Sequence, residues 1–277
     1  MTSRVFIASL FALLAFTTAH AAEDAEALYT SGRTYYKGEG VAKDISKAAE
    51  LFRAAAELGH AKAQTNFGGM LLQGEGVASD PVAAFAWFQK AAAHGDAVAQ
   101  TNLGWMCASG KGTPTDMAAA VRWYRLAAEA GQIDAQTRLG DILLKGTEGI
   151  PQDYTEAAKW LTRAAEKGVA VAQNSLGVLC ENGFGVPEDA PQAAKWFRAA
   201  AEQGEARGQM NLGRLYDTGK GVERDPVQAC QWLTLSAGQG ETGGQKYLES
   251  VLLQNRATPE QLAEGRKLAA AFRVKKP

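Results

Sequence analysis

The chain has 277 residues, with 29 Lys and Arg against 30 Asp and Glu, 46% hydrophobic and 21% charged. The even charge balance excludes the clustered cations that phosphate binding needs, and the apolar share excludes a disordered chain. Three cysteines are too few for a disulfide scaffold. Thirty glycines exceed the usual share, and they recur at fixed places.

Residues 1–21 read as an address. Arg4 precedes Val5–Phe16, an uncharged apolar run of 12 residues, and Ala19-His20-Ala21 sets small residues where a signal peptidase reads. The pattern predicts a bacterial secretory signal peptide cleaved after Ala21. Twelve apolar residues cannot cross a bilayer core of about 30 Å. No Cys near the cleavage point supports a lipid anchor, and no later segment has 18 consecutive apolar residues. The expectation is a mature chain in the periplasm or outside the cell, with no membrane span after cleavage.

The rest is one unit written six times. GEGV stands at Gly38–Val41 and Gly74–Val77, GKGT at Gly110–Thr113, GTEGI at Gly146–Ile150, GFGV at Gly183–Val186 and GKGV at Gly219–Val222. The steps between them are 36, 36, 36, 37 and 36 residues. An Asp follows each turn: Asp44, Asp80, Asp116, Asp153, Asp189 and Asp225. Aligned alanines come next, then Leu51 and Trp87, Trp123, Trp160, Trp196 and Trp232. Each unit closes on a Gly (Gly59, Gly95, Gly131, Gly168, Gly204, Gly240). A fixed period of this length signals stacked supersecondary units.

Each unit reads as two helices. In the second, helix A covers about Ala61–Leu72, with Ala61, Gln64, Phe67, Gly68 and Leu71 on one face. Gly68 permits a close helix approach, and Gly74 and Gly76 end the helix where positive φ is needed. Asp80 caps helix B with Pro81 in its first turn, and Pro226 follows Asp225 in the same way. Helix B runs to about His94, with Ala84, Trp87, Ala91 and Ala92 buried. One cap per unit accounts for the six aspartates and removes them as catalytic carboxylates. At the end, Gln245–Leu253 reads as a seventh helix A without the glycine turn. Thr258-Pro259-Glu260-Gln261 starts a last helix with a capping box. Leu262, Leu268 and Phe272 are placed to cover the last apolar edge.

The repeated pattern A-x-A-Q-x-x-L-G-x-x-Y-x-x-G-x-G-V-x-x-D-x-x-x-A-x-x-W-x-x-x-A-A-x-x-G resembles the Sel-1-like repeat (SLR) family, relatives of tetratricopeptide repeats, over roughly Ala25 to Glu241. Departures are mild: Ser31 before the first helix-A Gly, Tyr at its core position only as Tyr35 and Tyr216, and one inserted residue in Gly146–Gly149. The expected fold is an all-α, right-handed superhelical solenoid. It comprises six helix-turn-helix repeats (25–60, 61–96, 97–132, 133–169, 170–205, 206–241) within 22–241, and a C-terminal cap and tail over 242–277.

Most chemistry-bearing residues read as structure. Cys107 and Cys180 share one repeat position two units apart, beyond disulfide reach of about 7 Å. With Cys230 they read as buried thiols. His60 and His94 flank inter-repeat glycines and read as exposed turn residues, so no metal and no cofactor are expected. Gly110-Lys111-Gly112-Thr113 lacks the spacing of a phosphate loop and follows a helix. The resemblance brings in a cysteine-rich branch described as acting on β-lactams. This chain carries no Ser-x-x-Lys, Lys-Thr-Gly or Gly-x-Ser-x-Gly motif, so no catalytic residue is assigned. The five repeat tryptophans are expected in the core.

In the family, helix A lines the concave surface. With its Leu position as zero and 100° per residue, positions −5, −2 and +2 lie opposite the core. That stripe changes from unit to unit, as a specific binding surface would. It holds Tyr29 and Arg33 in unit one, Lys62 in unit two, and Val98, Thr101 and Trp105 in unit three. Asp134 and Asp141 follow in unit four, Val171, Asn174 and Val178 in unit five, and Arg207, Met210 and Arg214 in unit six. Trp105, the sixth tryptophan, stands apart from the repeat set. The resemblance implies a monomeric exported scaffold binding a protein partner, with no nucleic acid. Alternatives are a regulator of a membrane sensor kinase or of envelope polysaccharide secretion, a hydrolase of β-lactam or cell-wall substrates, and a groove for a peptide-like ligand.

Overall fold

A computed structural model describes residues 22–275, so the signal-peptide expectation for 1–21 lies outside the described residues. They fall into two compact units divided between Gln132 and Ile133. The first holds α1 (22–37), α2 (Ile45–Glu57), α3 (Ala61–Gln73), α4 (Pro81–Ala93), α5 (Ala97–Ser109) and α6 (Met117–Glu129). The second holds α7 (Ile133–Lys145), α8 (Tyr154–Glu166), α9 (Ala170–Asn182), α10 (Ala190–Glu202), α11 (Ala206–Thr218), α12 (Pro226–Gly238), α13 (Thr242–Leu253) and α14 (Pro259–Ala271). The architecture is all-α, six helix pairs and a terminal pair. Odd-numbered helices up to α11 are the A helices of their repeats and even-numbered ones up to α12 the B helices.

The six aspartates cap as the spacing predicts. Backbone N–H groups of Lys47, Ala83, Ala119, Glu156 and Gln192 donate to the carboxylates of Asp44, Asp80, Asp116, Asp153 and Asp189 at 2.8–2.9 Å. Asp225 accepts from Val227 and Gln228. Each such cap stabilises a helix by about 1 kcal/mol. The capping residues also reach backwards. Their own N–H groups donate to the carbonyls of Tyr35, Leu71, Cys107, Leu143, Cys180 and Tyr216 near the ends of the preceding A helices, at 2.8–3.0 Å. One residue therefore starts helix B and closes the turn from helix A.

The turn glycines have two duties. Gly74 supplies the left-handed conformation that ends α3 (φ 75°). Gly76 lies so close to the previous repeat that a Cβ there would stand 2.5 Å from the Ile45 carbonyl oxygen. Backbone-to-backbone docking of this kind sets the register between neighbouring repeats. The residue inserted at Gly146–Ile150 is absorbed by a small loop in which Thr147 and Ile150 exchange backbone hydrogen bonds of 2.8 and 2.9 Å.

Packing follows the aligned small residues. Ala84, Ala91, Ala120 and Ala127 are fully buried, as are Leu103 and Met106. The repeat tryptophans divide: Trp160 and Trp232 are buried, whereas Trp87, Trp123 and Trp196 are half-buried. Lys90 lies over the Trp87 ring with Nζ 3.9 Å from its centroid. The Trp87 ring meets Phe67 edge-on at 5.8 Å on its inner side. The three cysteines are buried and unpaired. Burial pushes each thiol above its ordinary value.

A polar group is built into the seams between repeats within each compact unit. The Gln of the A-x-A-Q pattern is buried at Gln64, Gln100, Gln136, Gln173 and Gln209. The side-chain amides of Gln64, Gln173 and Gln209 donate to the carbonyls of Ala56, Ala165 and Ala201 at 3.2 Å. Those carbonyls belong to the last turn of the preceding B helix, where each also accepts from the N–H of the closing glycine, Gly59, Gly168 or Gly204, at 2.9–3.0 Å. In the second unit the oxygens of Gln173 and Gln209 are satisfied too. Gln203 donates to Gln173 and Gln239 to Gln209, both at 2.8 Å.

The C-terminal pair forms as the sequence predicts. Thr258 and Gln261 make the reciprocal capping box of α14, α14 packs on α12, and Phe272 meets Trp232 edge-on. A buried carboxylate fastens α13. Asp217 on α11 is paired with Arg256 and accepts a 3.0 Å bond from the Tyr247 hydroxyl.

Candidate functional site

Wheel arithmetic places positions −5, −2 and +2 of each A helix on one outward stripe, and the structure sorts them into three kinds. Position −5 is open: Lys62, Val98, Asp134, Val171 and Arg207 are exposed. Position −2 is occluded. The Thr101 hydroxyl donates to Ala97 O at 2.8 Å within its own helix, and Tyr29 is half-buried, its ring stacked on His60 at 4.4 Å. Asn174 is a correction: it is 8% exposed. The next A helix lies over it, and Asn211 donates to its side-chain oxygen at 2.9 Å.

Position +2 differs between the two compact units. In the second, Arg214 is spent inside the fold. Its guanidinium forks onto Glu181 at 2.9 and 2.6 Å, and that carboxylate is buried. Asp141 is paired with Lys145 at 2.7 Å and Val178 is half-buried; at the other stripe positions of this unit Arg207 (−5) lies 3.7 Å from Glu241 and Met210 (−2) is half-buried. In the first unit the same position is unoccupied by internal partners. Arg33 has no carboxylate partner among the described residues, and its guanidinium lies over the Tyr29 ring at 5.9 Å. Gly69 carries no side chain. Trp105 keeps 36% of its surface in solvent, with Lys111 over its ring at 5.7 Å.

Those three residues border two adjoining hollows. The first, about 350 Å³, is walled by Arg33 and Tyr36 of α1, Asn66 and Gly69 of α3, and Val98 and Asn102 of α5. Phe52, Met70 and Leu72, all buried, form its apolar base. The Tyr36 hydroxyl donates to Glu75 at 3.1 Å across its rim, a contact that raises the phenol's affinity for its proton. The second hollow is lined by Leu72, Gln73, Ser79, Asn102, Trp105 and Lys111. A concave surface with apolar depth and a few polar groups is the usual form of a binding site.

His60 also departs from the turn-residue reading. It caps α3, its Nδ1 accepting from the Ala63 N–H at 3.1 Å, and its Nε2 lies 2.9 Å from Glu26. That geometry places the ring proton on Nε2, donating to Glu26, and the bond holds Glu26 below the ordinary carboxylate value. The partners are 34 residues apart in the chain, so no local pattern could show the pair. His94 is exposed at the end of α4, as its turn position implies. Among the described residues no group of three or more His, Cys, Asp and Glu is arranged to hold a metal. No helix among them is long and apolar enough to cross a membrane.

Stacked helix pairs of one repeated length define a helical-repeat protein. The Sel1 repeat model matches residues 25–60, 61–96, 97–132, 133–169, 170–205 and 206–241, and the chain belongs to that family. Sel1-repeat proteins generally serve as protein–protein interaction scaffolds. Among solved structures the chain is similar to a protective antigen present in uropathogenic Escherichia coli strains, which displays an SLR fold. The two are 35% identical over 92% of this chain and 56% of that one, with a TM-score of 0.76. The chain thus spans little more than half the length of the E. coli protein. It is also similar to a Sel1 repeat protein from Oxalobacter formigenes, 29% identical over 90% of this chain and 98% of that one, with a TM-score of 0.74. No curated protein matches it.

Proposed function

We propose that this chain is an exported bacterial scaffold that holds a segment of a partner protein on the A-helix face of its first compact unit, without bond chemistry of its own. The observation that carries the reading is the pair of adjoining hollows bordered by Arg33, Gly69 and Trp105. In the second unit the corresponding Arg214 and Asp141 are already engaged by Glu181 and Lys145. A surface whose charges are paired internally has less to offer a partner than one whose charges are free. Trp105 supplies the half-exposed aromatic that often anchors an interface. The thiols, the strongest nucleophiles in the chain, are buried and protonated, which argues against their use in catalysis. Export rests on the apolar run and small residues before Ala21.

The test is crosslinking in cells from a photoreactive amino acid at position 105, with position 89 as control, since Gln89 is exposed on α4 away from the hollows. The expected result is one discrete protein captured from 105 and not from 89. Capture from 89 alone, or from neither, would remove the A-helix face as the binding surface. Fractionation of the same cells checks the compartment: retention in the cytoplasm with residues 1–21 intact would refute export.

A further inference from the structure

Two adjacent glycines in α3 have opposite surroundings. A Cβ on Gly68 would stand 3.0 Å from the Phe88 ring, so helix packing accounts for that residue. A Cβ on Gly69 would meet nothing within 4 Å. Glycine inside a helix is less favourable than alanine, and at Gly69 no close approach offsets the loss. What the missing side chain does is leave the 350 Å³ hollow open. A residue that weakens its own helix without a packing return is where function is expected to override stability.

The charges around the hollows narrow what enters them. At the first, Lys37 is held by Glu39 at 3.2 Å and Glu75 accepts from Tyr36. The Arg33 guanidinium therefore remains without a carboxylate, above an apolar base. The second hollow repeats the combination: the Trp105 ring is its apolar wall, and Lys111 has no carboxylate partner among the described residues. The hollows share Leu72, Gln73 and Asn102. A chain that fills both can bring its own carboxyl end to at most one of them, so at least one of the two cations is left to a side-chain carboxylate.

We propose that the two hollows bind an extended internal segment of the partner protein in which each of two apolar side chains is accompanied by an acidic residue. The first apolar side chain enters over Gly69, with its neighbouring carboxylate on Arg33. The second lies against Trp105, with its carboxylate on Lys111. This rests on the scaffold reading above and gives the partner its chemistry.

The probe is a displayed library of random linear peptides panned on the purified protein. Enriched peptides are expected to pair Asp or Glu with large apolar residues. The best of them should lose affinity roughly tenfold or more on Gly69→Leu and on Arg33→Glu. A peptide with Lys in place of the Arg33-facing acid should regain binding to Arg33→Glu. Gly69→Ala and Gly69→Leu should melt at or above the parent temperature, since each adds helix propensity in open space. A lower Tm for Gly69→Ala, no enrichment, enrichment without acidic residues, or binding indifferent to both substitutions would each overturn the proposal. Crosslinking from position 105 in cells carrying Gly69→Leu separates the two readings. Unchanged capture of the same partner would sink the pocket and leave the scaffold standing.

Discussion

Gln100 is buried, and its side-chain oxygen has no hydrogen-bond partner among the described residues. In the second compact unit the equivalent oxygens of Gln173 and Gln209 accept from Gln203 and Gln239 at 2.8 Å. The residue in that register after α6 is Ala130, which has no side-chain donor. The backbone is already in place: Ala130 and Gln203 both end their helices, at φ −75° and −82° with ψ 1° in each. Ala130→Gln should therefore supply the missing donor. An unpaired buried acceptor costs about 1–3 kcal/mol, and fixing a Gln side chain costs up to about 2 kcal/mol. The expected net gain is about 1 kcal/mol. Urea unfolding followed by circular dichroism measures it, and Gln203→Ala should show a loss of similar size. The control is Ala130→Gln in a Gln100→Met background. No gain in the parent, or the same gain in the Met background, would refute the hydrogen-bond account.

Three further outcomes are expected. Asp189→Ala should destabilise the chain by about 1 kcal/mol, read as a lower urea midpoint with an unchanged slope. Arg256→Met should cost about 3–5 kcal/mol, because it strands the buried Asp217 carboxylate without its cation. Faster amide exchange confined to α13 and α14 would locate the damage, and a loss below about 1 kcal/mol would show the pair to be incidental. Burial holds Glu205 above the ordinary carboxylate value, opposed by the Gly208 N–H that donates to it. A carboxyl raised in the folded state contributes stability below its unfolded pKa and loses it as the pH rises through the folded value. Glu205→Gln should therefore gain on the parent as the pH climbs from the acid side of 4.5 to neutrality, and a constant difference across that range would exclude the carboxyl as its source.

The repeat frame was readable because its determinants are local. A glycine turn and a capping Asp lie within a few residues of each other, and both of the Asp's bonds stay inside its own helix pair. The face of each A helix was less readable. A helical wheel places Asn174 opposite the core of α9, but the wheel knows only one helix, and Asn211 of the next A helix covers it. The same blindness hid Arg214 on Glu181 and His60 on Glu26, partners 33 and 34 residues distant. Spacing puts Gln64 on the inward face of its helix, but gives no reason for a polar group there. The donation of the buried glutamines to a helix-end carbonyl of the preceding repeat is visible only once the repeats are stacked. Gly69 was on the stripe, yet its meaning needed the hollow beside it.

The backward hydrogen bond of each capping Asp bears on how such a chain can change length. Turn closure and helix initiation are completed by one residue within one repeat, and at Gly76, Gly112, Gly185 and Gly221 the second turn glycine docks on backbone of the repeat before it. A duplicated stretch of one period would bring all of its own closures and present the same seam at both ends. Gaining or losing a whole repeat is then the gentlest change available to this gene, gentler than shifting a single residue inside a turn.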